Sequence, residues 1–405
     1  MGPMRRSTAL SVLFLVFIAI FGAVFFSLPS DQYLEARTIA RGAKDFKDLS
    51  ERFRELARGK SASYAFEVLQ RAQLPANTDL HLLAHTVGDE LYKQKGVEGI
   101  TDCTEEFRNA CSHSIVIGAL TEFGDGSETI GMIQEACKKA PGGSGAYTMC
   151  YHGLGHGVFA YYGYDLQKTV AFCARAGLPL YNSEDSDQCV GGSVMELMGG
   201  GGHDEERWLE ARARYLDDTK PLSPCSTALI PDGAKVFCFS YLTPRLLQLA
   251  GTDLGIPDPA TFPKAFSYCD AIPKTNMRLR DACFGGFGKE FVPIAGARDI
   301  RRVDQFDDAT YTTAALWCLH SPADDGKNAC IAQALASVFW GGENDPSASF
   351  RFCSNTPEQL RDACYHELSK DIGVYMEGNT RREWCERVPE AYRDACDDPN
   401  ASYRL

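Results

Sequence analysis

The hydrophobic pattern of this chain has two regimes. From Thr8 to Leu28 it is unbroken: TALSVLFLVFIAIFGAVFFSL carries no charge over 21 residues. After Ser30 the apolar positions recur every three to four residues, the period of an amphipathic helix. Ile39, Phe46, Leu49, Phe53 and Leu56 follow this spacing through a highly charged stretch from Asp31 to Lys60. Leu80, Leu83, Ala84, Val87 and Leu91 repeat it. The pattern predicts helices over about 63–73, ending at Leu74-Pro75, and over about 80–94, capped by one of Asn77, Thr78 or Asp79.

The unbroken segment has the ~20 residues that a transmembrane helix needs. Arg5 and Arg6 precede it, which places the amino terminus in the cytoplasm. A cleaved signal peptide would have an apolar region of only ~7–15 residues and a small-x-small cleavage site. Neither is present, so an uncleaved anchor is expected. The expected organisation is a cytoplasmic terminus (1–7), an anchor (8–28), a helical stalk (29–62) and an extracytoplasmic domain (63–405).

Cysteine usage fits that topology. There are 16 cysteines in 405 residues, and none is in a CxxC pair, which argues against zinc fingers. Outside the cytosol such cysteines oxidise. Read in order they form eight pairs: Cys103 with Cys111, Cys137 with Cys150, Cys173 with Cys189, Cys225 with Cys238, Cys269 with Cys283, Cys318 with Cys330, Cys353 with Cys364, and Cys385 with Cys396. The first members recur every 32 to 52 residues, the range of helical-hairpin repeats. Five second cysteines follow a basic residue, Asn or Asp, then Ala, as in Arg280-Asp281-Ala282-Cys283 and Arg361-Asp362-Ala363-Cys364. In the unit from Cys353 to Met376, Asn355 or Thr356 is expected as the N-cap, with Pro357 at the first helical position.

The predicted fold class is all-α: an array of disulfide-stapled helical hairpins, an α-solenoid or α/α ring, on one transmembrane helix. Short hairpins bury too little surface alone, so they stack. Pairing within each unit is expected, with Cys103 lying before its helix starts. Each closed loop would contribute on the order of 3 kcal/mol by the chain-entropy model.

Charge and histidines narrow the function. A formal net charge of −13 argues against nucleic acid, whose phosphates need Lys and Arg. Five of the eight histidines fall between His81 and His156. His81 with His85, and His152 with His156, are i, i+4 pairs, which share one helix face ~5–6 Å apart. His113, His152 and His366 each lie two residues after a second cysteine. Two facing HxxxH helices, with His113 nearby, would suit Zn, Cu or Fe, with Asp89, Glu122 or Glu196 as carboxylate partners. The plainer alternative is that these are polar groups at helix contacts, bonded to backbone or Tyr. HxxxH lacks the internal Glu of the HExxH metalloprotease motif. Gly285-Gly286-Phe287-Gly288 has no strand before it and reads as helix packing. His203, after four glycines, reads as a solvated connector, and Tyr161, Tyr162 and Tyr164 as packing.

Two functions follow. The first is a membrane-anchored binding or scaffold module for a peptide, protein or glycan, with nothing demanding catalysis. The second is a metal-binding protein or metalloenzyme holding a transition-metal ion at His81, His85, His113, His152 and His156. Both place the bulk of the chain in a periplasm, at a cell surface or in a secretory lumen. Asn400-Ala401-Ser402 is the single glycosylation sequon after the anchor, which leans towards a bacterial envelope.

Overall fold

A computed structural model describes residues 31–103, 107, 110–140, 143–177, 184–199, 204–341 and 345–397. The expected anchor at Thr8–Leu28, the His203 connector and the Asn400 sequon lie outside them. Among the described residues, no helix is long and apolar enough to cross a membrane.

The described chain is helical, with no strand beyond one isolated bridge between Asp217 and Lys220. The helices are α1 (Asp31–Gly42), α2 (Phe46–Gly59), α3 (Ala62–Arg71), α4 (Leu80–Lys95), α5 (Ala110–Phe123), α6 (Ser127–Cys137), α7 (Gly143–Tyr161), α8 (Leu166–Ala176), α9 (Glu184–Gly199) and α10 (Glu205–Tyr215). They continue with α11 (Lys235–Tyr241), α12 (Thr243–Ala250), α13 (Phe262–Ser267), α14 (Met277–Ala295), α15 (Asp308–Cys318), α16 (Asp324–Gly341), α17 (Pro346–Asn355), α18 (Glu358–Tyr375), α19 (Gly378–Arg387) and α20 (Asp394–Asp397).

The segment expected as a helical stalk is not one continuous helix. It breaks into two helices that fold back on the body: α1 packs on α3, and α2 packs on α3 and α4. Phe53 is wholly buried and Leu49 and Leu56 nearly so. Their stripe faces protein because α4 presents a matching apolar face.

All eight disulfides join cysteines consecutive in the chain, as expected. Cys103 bonds Cys111, Cys137 bonds Cys150, Cys173 bonds Cys189 and Cys225 bonds Cys238. Cys269 bonds Cys283, Cys318 bonds Cys330, Cys353 bonds Cys364 and Cys385 bonds Cys396. Cys103 follows a 3-10 turn at Gly96–Asp102 and precedes α5, so a separation of eight residues still brings its Cα to 5.5 Å from that of Cys111. The second cysteines lie on α5, α7, α9, α11, α14, α16, α18 and α20, and each of these helices packs on the next in that order. Cys238 on α11 and Cys396 on α20 follow this rule although both helices are short, and both cysteines are wholly buried.

Small residues set these crossings. A Cβ on Gly155 of α7 would lie 1.8 Å from the Cys189 carbonyl oxygen, and one on Gly288 of α14 would lie 1.8 Å from the Cys330 carbonyl oxygen. Gly155 and Gly288 are each five residues after their own second cysteine, and each touches the second cysteine of the next helix.

The Arg-Asp-Ala-Cys motif also has a physical role. Arg280 donates to the Ile272 carbonyl at 3.1 Å, Arg361 to Thr356 at 3.2 Å and Arg393 to Val388 at 2.9 Å. Each acceptor is three residues after a first cysteine, at the carboxy-terminal cap of a helix, where carbonyls lack intrahelical partners. Arg280 is buried and also holds Asp270 at 2.7 Å and Asp325 at 2.6 Å.

The expected cap of α18 is corrected. Pro357 is the N-cap residue and Glu358 the first helical one. Thr356 instead closes α17: its hydroxyl donates to the Phe352 carbonyl at 3.0 Å.

Contacts distant in sequence draw the two halves together. Asn77 donates its backbone N–H to Ala297 at 2.9 Å and its side-chain amide to Gly255 at 3.1 Å. Arg301 donates to the Leu69 and Ala72 carbonyls at 2.9 and 2.6 Å.

Candidate metal centre

The site is built on α4, α5, α7 and α9. Asp79 caps α4 by accepting from the Leu82 N–H at 3.0 Å, which places Leu80, Leu83, Ala84, Val87 and Leu91 inward. His81 and His85 stand on the flank of that stripe, towards α5. Gly88, one turn on, lets the helices close: a Cβ there would lie 2.7 Å from the Ser114 Cβ.

The HxxxH helices were expected to face each other directly, with His113 nearby. Instead α5 stands between α4 and α7, and His113 is central. Its ring centroid is 5.4 Å from that of His81, 5.6 Å from His85, 6.0 Å from His152 and 5.1 Å from His156. His81 and His156 are themselves 6.0 Å apart, ring to ring. Gly153 makes room for this: a Cβ there would lie 2.1 Å from the His113 Cδ2. His113 is 1% exposed, and neither of its ring nitrogens has a hydrogen-bond partner among the described residues. Burial, with the four neighbouring imidazoles, holds its pKa well below the ordinary histidine value, so the ring is neutral.

Within each pair the Nε2 atoms meet, at 3.2 Å for His81 and His85 and 3.2 Å for His152 and His156. Three of the four Nδ1 atoms, those of His81, His85 and His156, are tied back. His81 Nδ1 lies 2.7 Å from the Phe107 carbonyl oxygen, an acceptor only, so this nitrogen carries the proton. His85 Nδ1 lies 3.0 Å from Ser114 Oγ, and Ser114 donates its one proton to the His85 carbonyl at 3.1 Å. The hydroxyl therefore accepts from His85 Nδ1. The Nε2 atoms of this pair face each other. His156 Nδ1 lies 3.0 Å from the Glu196 carboxylate, both buried, which likewise turns its Nε2 inward.

One nitrogen each from His81, His85 and His113 lie within 4.8 Å of one another. Of the expected carboxylates, Glu196 joins the site behind His156. Glu122 instead accepts from the Tyr92 hydroxyl at 2.6 Å, and Asp89 is half-buried on α4. His366 shares the register of His113 and His152 yet is exposed on α18, and His320 packs against Phe262, ring centroids 5.6 Å apart.

Sequence reasoning missed Ser114, the Phe107 carbonyl, Met195 and Tyr241. Met195 Sδ lies 3.4 Å from His152 Nε2, and the Tyr241 ring lies tilted beside that of His152, centroids 5.1 Å apart. The repeat register held a signal for Met195, which is six residues after Cys189, as His156 is after Cys150.

No family model matches this chain, and no curated protein or solved structure was found to be similar to it.

Proposed function

We propose that this is a membrane-anchored, extracytoplasmic helical repeat protein whose function is to hold a transition-metal ion within its cluster of five histidines, with His81, His85 and His113 as the ligands. The observation that carries the reading is the pair His81 and His85. Their Nε2 atoms converge to 3.2 Å. Metal–nitrogen bonds of ~2.0–2.1 Å at a tetrahedral angle give a nitrogen–nitrogen edge of ~3.3 Å, close to the distance present. His113 adds a buried neutral nitrogen without a partner. The Phe107 carbonyl, Ser114 and Glu196 fix ring orientation, the role of outer groups around ligating histidines. Three imidazoles leave a fourth position open, the arrangement in which a bound metal can also take water or a small ligand.

The array and its anchor belong to the same proposal. Consecutive packing of the second-cysteine helices, the recurring glycine contacts and the recurring Arg-to-carbonyl bonds support a repeat. Eight disulfides fit an oxidising compartment. The apolar stretch Thr8–Leu28 supports a single-pass anchor.

Elemental analysis of protein purified from an oxidising compartment tests the metal reading. Wild type is expected to carry about one zinc, copper or iron ion per chain, and His81→Ala plus His85→Ala to lose it. Equal metal content in the two proteins would remove the proposal.

The binding-module reading has one observation in its favour. A cavity of about 390 Å³ at the far end of α4 is lined by Tyr92, Val97, Phe123 and Met132 together with charged side chains of both signs, Lys95 and Lys139 as well as Glu98, Glu122 and Glu135, and Phe123 is 54% exposed.

A further inference from the structure

The two histidine pairs differ in what lies beside them, and the difference is chemical. Around His81, His85 and His113 the candidate ligands are all imidazole nitrogens. Beside His152 and His156 there is a thioether. Met195 and Glu196 are consecutive residues of α9, and they address successive turns of α7. Glu196 holds the Nδ1 side of His156 at 3.0 Å, and Met195 Sδ approaches the Nε2 side of His152 at 3.4 Å. Gly192 permits this closeness, since a Cβ there would lie 1.8 Å from the His152 carbonyl oxygen.

We propose that His152, His156 and Met195 form a second, soft metal position that selects copper(I), next to the all-nitrogen position at His81, His85 and His113. This rests on the metal reading above and deepens it. The distances suit one ion. With metal–nitrogen bonds of ~2.0 Å and a metal–sulfur bond of ~2.3 Å, a tetrahedral angle gives edges of ~3.3 Å between nitrogens and ~3.5 Å between nitrogen and sulfur. The two edges that meet at His152 Nε2 are 3.2 and 3.4 Å. Thioether sulfur is a soft ligand that favours copper(I) and adds little for harder divalent ions. Glu196 sits on the far side of the His156 ring and so orients that ligand rather than offering a hard oxygen to the ion. The Tyr241 ring covers His152 on another side, and His152 and His156 are 1% and 4% exposed, so the position is screened from water. In the competing arrangement Met195 only fills space and accepts an N–H from His152.

Sulfur makes the test clean. All sixteen cysteines are in disulfides, with no free cysteine, so no thiolate is present to bind copper. The full chain is loaded anaerobically with copper(I), in parallel with zinc, and the copper is examined by X-ray absorption. Copper in excess of the zinc stoichiometry, with a sulfur shell at ~2.3 Å, is expected in the wild type. Met195→Leu, close in volume, is expected to lose that shell and weaken copper(I) binding roughly tenfold or more, with zinc content unchanged. A wild-type copper shell of nitrogen alone overturns the soft position and leaves the histidine metal centre standing. Absence of both copper and zinc overturns both. The wild-type spectrum decides the matter even if Met195→Leu fails to fold.

Discussion

At the scale of single residues, the centre depends on who holds each proton. His81 and His85 are legible in the sequence as an i, i+4 pair, since helix periodicity puts them on one face. What makes them a site is less visible. The Phe107 carbonyl and the Ser114 hydroxyl come from other segments and carry no residue-type signal. His113 was legible only as a neighbour, because its central place depends on helix order and on a glycine opposite it. That glycine gives a prediction. Gly153→Ala would set a Cβ 2.1 Å from the His113 Cδ2 and displace the ring. Metal affinity is expected to fall ~10–100-fold with helical content by circular dichroism retained. Unaltered affinity in a competition titration would mean that His113 contributes no ligand.

At the scale of elements, the helices were readable and their contacts were not. Asp79 caps α4 where one of three candidates was expected, and the observed α3 and α4 lie within two residues of the predicted ends. The cap of α18 was misread because Thr356 serves the helix before it, a use of the hydroxyl that sequence order alone does not rank against N-capping. The Arg-Asp-Ala-Cys motif stood out as a repeat, but its reason, a carbonyl three residues past the partner cysteine, needs the fold. Gly285-Gly286-Phe287-Gly288 behaves as the packing element expected. Gly288→Ala would set a methyl 1.8 Å from a backbone oxygen of α16, which cannot swing aside as a side chain could. It is expected to cost about 1–3 kcal/mol or more, read as a lower midpoint in urea. A midpoint equal to wild type would show that α14 and α16 do not cross this closely.

At the scale of the whole molecule, the cysteine pattern revealed the most. Sixteen cysteines at regular spacing specify local pairing, because each loop of 8 to 16 residues closes more readily than a longer one. The disulfides stiffen short helices that bury little surface individually. The contacts from Asn77 to Ala297 and from Arg301 to Leu69 had no counterpart in the sequence. The first joins two loop backbones and the second runs from a guanidinium to a helix-end carbonyl, and neither has a periodicity to read. By bringing the start of α4 beside the end of α14, they brace the helix that carries His81 and His85. The chain thus joins a rigid, oxidised frame to five converging imidazoles, and the frame fixes geometry that free histidines would not hold. Anomalous X-ray scattering at the absorption edge of the bound metal, from crystals of the purified protein, tests this most directly. The account predicts a peak among the five rings, ~2.0–2.1 Å from the Nε2 atoms of His81 and His85. An empty position there, with His85 turning its proton towards His81 and Ser114 donating to His85 Nδ1, would contradict it.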